Sequence, residues 1–105
     1  PDPFGDMRAA LGARLATLRA TWDDPWCIGY FVGNELSWGD DTALARLALA
    51  APPDQAARLA LEQHLRSAGL DLAATPPDDV LRAFNRELAT RFFVEARAAI
   101  RAVAP

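Results

Sequence analysis

The sequence predicts a mainly α-helical chain with one short buried strand, an incomplete slice of an α/β layout. Three observations carry that prediction. Apolar residues recur at helical spacing through most of the chain. A single continuous apolar run, "WCIGYFV", interrupts them. That run has helical stretches on both sides, as a strand of an α/β layer would.

The first helix is expected over 3–21. Asp2 and Pro3 form a start signal, and Met7, Leu11, Leu15 and Leu18 fall at steps of four, four and three along one face. Pro25 ends it, because the residue before a proline resists the α region. Residues 26–32 are expected as the strand: short, aromatic and branched, and bracketed by Pro25 and Gly33. Trp22, Trp26, Tyr30 and Phe31 are expected in the core, and Cys27 as a small buried hydrophobe. A lone strand nonetheless leaves its backbone groups without partners. A loop over 33–41 leads to helices expected at 42–51 and 53–68. The second carries Ala57, Leu61, Leu65 and Ala68 on one face and stops at Gly69. Thr75-Pro76-Pro77-Asp78 resembles a capping box before a long helix over 77–104. Leu81, Phe84, Leu88, Phe92, Ala96, Ala99 and Val103 form its stripe. The whole is expected as one partial domain over 1–105.

At 105 residues the chain lies near the lower limit for a self-sufficient core. A formal charge of −3 and a pI near 5.0 argue against nucleic-acid and anionic-membrane partners. All the basic residues are arginines, spread along helical faces. The single cysteine excludes an internal disulfide and a cysteine-built zinc site. No signal peptide or membrane-spanning run is evident, so a soluble chain is expected, with no location implied.

The segment "DPWCIGYFVGNELSWG" is the most chemically pointed in the chain. A carboxylate, Glu35, follows an aromatic run, next to an amide, Asn34, and three residues before Trp38. At the end of a buried strand, apolar rings and a second carboxylate would hold such a glutamate protonated near neutrality. Asn34 can donate to and accept from a sugar hydroxyl, and an indole offers a face on which a pyranose can stack.

"DPWCIGYFVGNELSW" resembles the fourth-strand segment of (β/α)8-barrel glycoside hydrolases of the large Asn-Glu clan, in particular β-agarase-like and β-galactosidase-like enzymes, where the typical form is "DPwliGYFvDNElpW". "DPFGDMRAAL" is similar to the helix before that strand, and "AFNRELATRFFVEARAAIRAVAP" to the helix before the fifth. The resemblance implies a fragment of a TIM barrel. It also implies that Glu35 is the acid/base of a retaining hydrolase, that Asn34 contacts the hydroxyl beside the reacting carbon, and that Trp38 lines the cleft. The substrate implied is a galactose-containing poly- or oligosaccharide, with no metal or organic cofactor. Gly33 stands where an aspartate is frequent. The middle helices are richer in alanine than the family pattern, and "LDLAATPPDD" replaces a longer segment.

A retaining glycosidase needs two carboxyl groups about 5–5.5 Å apart. The family's nucleophile lies on a seventh strand, whereas Glu62, Glu87 and Glu95 all fall in helical stretches. The chain is therefore expected to be inactive alone. A different class of function is also consistent with the residues: a small helical interaction or assembly domain, self-associating through its unpaired strand. The pairs Asp23-Asp24, Asp40-Asp41 and Asp78-Asp79 sit where helices start or chains turn, which favours capping over metal binding. His64, the one histidine, is expected at the surface, and Glu87–Arg91 as a helical i,i+4 pair.

Overall fold

The computed structural model of the chain describes residues 2–33 and 38–104. Its elements there are α1 (Met7–Ala16), a 3-10 turn (Arg19–Thr21), α2 (Ala43–Ala50), α3 (Ala56–Ser67) and α4 (Asp78–Val103). The molecule measures 53 × 24 × 19 Å. Its long axis is set by α4, whose 26 residues span about 39 Å at the helical rise.

α4 is the spine on which the other helices pack, with α2 and α3 also packing on each other. Its first half meets α2 and α3 in a core of Ala45, Ala48, Ala57, Leu61, Leu65, Leu81, Phe84 and Leu88. Phe84 is fully buried; Phe4 stacks on it at 5.7 Å and the His64 ring tilts against it at 5.6 Å. Small side chains on α2 let that helix approach closely. The second half of α4 meets α1. There Arg8 Nε lies 2.7 Å from a Glu95 carboxylate oxygen, and Arg91 Nε lies 3.1 Å from the other.

Local chemistry sets the ends of the helices. α1 begins at Met7 because residues 2–5 form a turn: Asp2 accepts the Phe4 N–H through one carboxylate oxygen (2.9 Å) and the Ala57 N–H through the other (2.8 Å). Asp2 therefore caps α3 rather than its own helix. α1 stops at Ala16, where the Thr17 hydroxyl donates to the Arg14 carbonyl at 2.7 Å. The Arg58 guanidinium donates to the Leu49 and Ala51 carbonyls and so covers the C-terminal end of α2. α3 closes in a Schellman motif: Gly69 takes φ +74°, Leu70 N–H donates to the Leu65 carbonyl at 3.0 Å, and Gly69 N–H to the Arg66 carbonyl at 2.9 Å. α4 starts after Pro77 with no side-chain cap, and with Asp78 and Asp79 in its first turn.

The strand expected over 26–32 does not form, and no strand occurs among the described residues. The fold there is all-helical, which overturns both the short buried strand and the TIM-barrel fragment. Trp26, Ile28 and Phe31 are 90%, 102% and 101% exposed. Two of the aromatic residues expected in the core therefore lie in water. The physical reason is the missing partner: a strand needs a neighbouring backbone, and helices, bonded within themselves, offer none. No helix among the described residues is long and apolar enough to cross a membrane.

Candidate functional site

The approach to the Asn34-Glu35 pair is built from short-range bonds. At Pro25 the chain turns: the Asp24 carboxylate accepts the Trp26 N–H at 2.9 Å, and the Asp24 carbonyl accepts the Cys27 N–H at 3.0 Å. From Cys27 the backbone is irregular, and among the described residues the N–H groups of 28–33 make no hydrogen bond. One hydrogen bond ties this stretch to the helical part of the chain, and beside it lies an open recess. The Tyr30 hydroxyl lies 2.7 Å from Thr21 Oγ1, and since Thr21 already donates to the Leu18 carbonyl, Tyr30 is the donor. Phe31 and Val32 border a recess of about 260 Å³ whose other walls include Leu11, Leu15, Leu18, Ala96 and Ile100. Trp22 fixes the base of the stretch by donating its indole N–H to the Leu15 carbonyl at 3.1 Å. Cys27 is half-buried, beside the Gly29 carbonyl.

Asn34 and Glu35, the expected sugar-contacting amide and acid/base, lie outside the described residues. Trp38, expected to line a sugar cleft, packs on α4 instead. Its ring meets Phe92 edge-on at 5.5 Å and Phe93 at 6.0 Å, while those two phenyl rings meet each other at 5.3 Å.

Beyond Trp38 the chain is fastened down. Gly39 takes φ +68°, and a Cβ there would stand 2.6 Å from the Ala43 Cβ, so both backbone and space require glycine. Asp40 accepts from the Thr42 backbone N–H at 2.9 Å and from the Thr42 hydroxyl at 3.1 Å. The backbone bond is the main cause that holds its carboxyl below the usual aspartate range. Asp41 pairs with Arg82 of α4 at 2.8 Å. The side-chain carbonyl of buried Asn85 accepts the Ala45 N–H at 3.0 Å, satisfying an open donor in the first turn of α2. Asp40 and Asp41 thus act as turn and tether, and no group of three or more metal-ligating side chains occurs among the described residues.

The other glutamates are engaged in the helical framework. Glu62 lies 2.9 Å from Arg58 and 3.7 Å from Arg66. Glu87 lies 3.4 Å from His64 Nδ1, while Arg91, its expected partner, pairs with Glu95. The Glu95 carboxyl is held below the usual glutamate range, chiefly by the hydrogen bond from Arg8. Sequence reasoning missed the Arg8–Glu95 and Asn85–Ala45 links, because both join residues far apart in the chain.

Comparison of the chain with protein-family models, curated proteins and solved structures finds no match.

Proposed function

We propose that this chain carries the acid/base carboxylate, Glu35, of a retaining glycoside hydrolase acting on a galactose-containing poly- or oligosaccharide. In this reading Glu35 gives its proton to the leaving glycosidic oxygen while a second carboxylate attacks the anomeric carbon and forms a glycosyl ester. Glu35, now ionised, then takes a proton from water as that water attacks the same carbon and frees the second carboxylate. Asn34 holds the hydroxyl beside the reacting carbon.

The observation that carries the reading is the order of residues in "DPWCIGYFVGNELSW", which resembles the acid/base segment of such enzymes. Two features support it. Trp26, Ile28 and Phe31 stand in water, an apolar face that further polypeptide would cover, and a general acid in this reading requires the same polypeptide to desolvate its carboxyl and raise its pKa. Glu62 and Glu95 are paired with arginines and Glu87 lies beside His64, so in this reading the nucleophile comes from polypeptide outside these residues and the 105-residue chain is inactive alone.

The test is the full-length protein containing these residues, assayed on agarose oligosaccharides and aryl β-galactosides beside its Glu35→Gln variant. Activity that falls about 10²–10⁴-fold on a poor leaving group, the usual worth of a general acid, supports the reading. Activity retained by the variant rejects it.

A second reading rests on the exposed run: the isolated chain is an assembly module that pairs with a second copy. Three large apolar side chains expose on the order of 500 Å² per chain. Two copies meeting there bury about 1,000 Å², the lower limit for a specific interface. Charge favours an antiparallel arrangement. Asp23 and Asp24 open the run, while Arg97 and Arg101, without ion-pair partners among the described residues, line the groove beside Val32 at its other end. Sedimentation should then give a dimer that Ile28→Asp and Phe31→Asp dissociate. A concentration-independent monomer with a cooperative melt rejects this reading.

A further inference from the structure

We propose that the cleft between α1 and the second half of α4 binds a free single-chain fatty acid, with its alkyl tail between the helices and its carboxylate at Arg97 and Arg101. The cleft arises from side-chain size. The buried stripe of α4 runs from Leu81, Phe84 and Leu88 to Ala96 and Ala99, so large residues fill the first half and only methyl groups line the second. A recess of about 260 Å³ is left among Leu11, Leu15, Leu18 and Ala96. At Val32, Ala96 and Ile100, which border both, it adjoins a groove of about 500 Å³ beside Phe93, Arg97 and Arg101. Apolar walls with a few charged groups at one end suit an amphipathic molecule.

The sign of the charge selects the head group. Arg8, Arg46, Arg58, Arg66, Arg82 and Arg91 each face a carboxylate, and Arg19 lies over the Trp22 ring at 5.3 Å. Among the described residues the guanidiniums left without a partner are those of Arg14, Arg86, Arg97 and Arg101. All but Arg86 border these two spaces. No carboxylate borders either among the described residues, although the chain carries 14 acidic residues against 11 basic.

Arg97 and Arg101 stand four residues apart on one helix, a spacing at which like charges repel. An anion between them relieves that repulsion, and each guanidinium offers a fork of donors matched to a carboxylate. The net charge of −3 disfavours docking on an anionic bilayer, so the ligand is the free acid anion and not a membrane lipid. Asp23 and Asp24 of a second copy would contend for the same two arginines. The acid and the assembly reading above therefore exclude each other at this groove.

The experiment titrates decanoate, below its micellar concentration, into the whole 105-residue chain by calorimetry. One equivalent should bind. Affinity should rise about fourfold for each methylene from hexanoate to decanoate, as burial of the tail requires. Decyltrimethylammonium, with the same tail and the opposite charge, should bind about 10-fold more weakly or not at all. Arg97→Gln/Arg101→Gln should lower decanoate affinity by about 10- to 100-fold. Arg86→Gln removes the same charge away from the cleft and should change nothing. Ile100→Trp puts a bulky ring at the border of both spaces and should abolish binding. Its helical circular dichroism, set beside that of the wild type, separates a blocked cleft from an unfolded chain.

Equal binding of the cationic amphiphile overturns the proposal, as does decanoate affinity that survives Arg97→Gln/Arg101→Gln. Loss of binding in Trp26→Ser places the tail on the exposed run and overturns it too. Binding to phosphatidylglycerol vesicles, with none to monomeric decanoate, makes the occupant a membrane surface. A dimer that excludes decanoate makes it a second copy. Either result rejects the fatty acid.

Discussion

Glu95 shows what one well-placed carboxylate does here. It bridges Arg8 of α1 and Arg91 of α4, and its depressed pKa makes this clamp dependent on pH. With the folded pKa below the ordinary 4.5, the stabilisation is complete above that value and is lost as pH falls through the lower, folded one. Urea melts should therefore show a loss of stability on the acid side of 4.5 that is smaller in Glu95→Gln, a variant already weakened at pH 7. The glycines offer a second test. Gly69→Ala meets open space at φ +74° and should cost about 1 kcal/mol for the backbone alone. Gly39→Ala adds the collision with Ala43 and should cost about 2–3 kcal/mol by the same melts. The sequence marks Gly69 as a helix stop and gives Gly39 no such role. Only the fold separates their costs.

Helices were legible where one residue pattern determined burial. Leu81, Phe84, Leu88, Ala96 and Ala99 recur at helical spacing and are all buried along α4. Phe84→Ala should accordingly cost about 3–5 kcal/mol, read from the urea midpoint. Asn85 occupies the same face, and nothing in its neighbours announces that it serves α2. Asn85→Ala should leave the Ala45 N–H unpaired and cost about 1–3 kcal/mol. The segment 26–32 misled for the opposite reason. Its residues are those of a buried strand, but burial takes a covering surface and pairing takes a second backbone. The described residues supply neither. Composition can state what a segment requires without providing it.

On the scale of the whole molecule, the order of the candidate site residues was legible and their support was not. Asn34, Glu35 and Trp38 stand out in one line of sequence, whereas the seat of Trp38 lies on α4, far along the chain. The exposed run also bears on handling. Replacing Trp26, Ile28 and Phe31 together by serine should leave the melting temperature of the isolated chain nearly unchanged, because their exposure leaves little contact to lose. It should also raise solubility, measured as the concentration at which light scattering begins.

The arrangement of α4 has a consequence for time as well as for energy. Its first half is covered by α2 and α3 and its second by α1. One continuous helix is therefore protected by two different lids. Departure of α1 would strip the amides near Ala96 and Ala99 while those near Phe84 kept their cover. In hydrogen–deuterium exchange the far end of α4 should label first, as a separate step with its own opening free energy. Glu95→Gln should hasten that step and leave the slow, Phe84-centred one almost untouched.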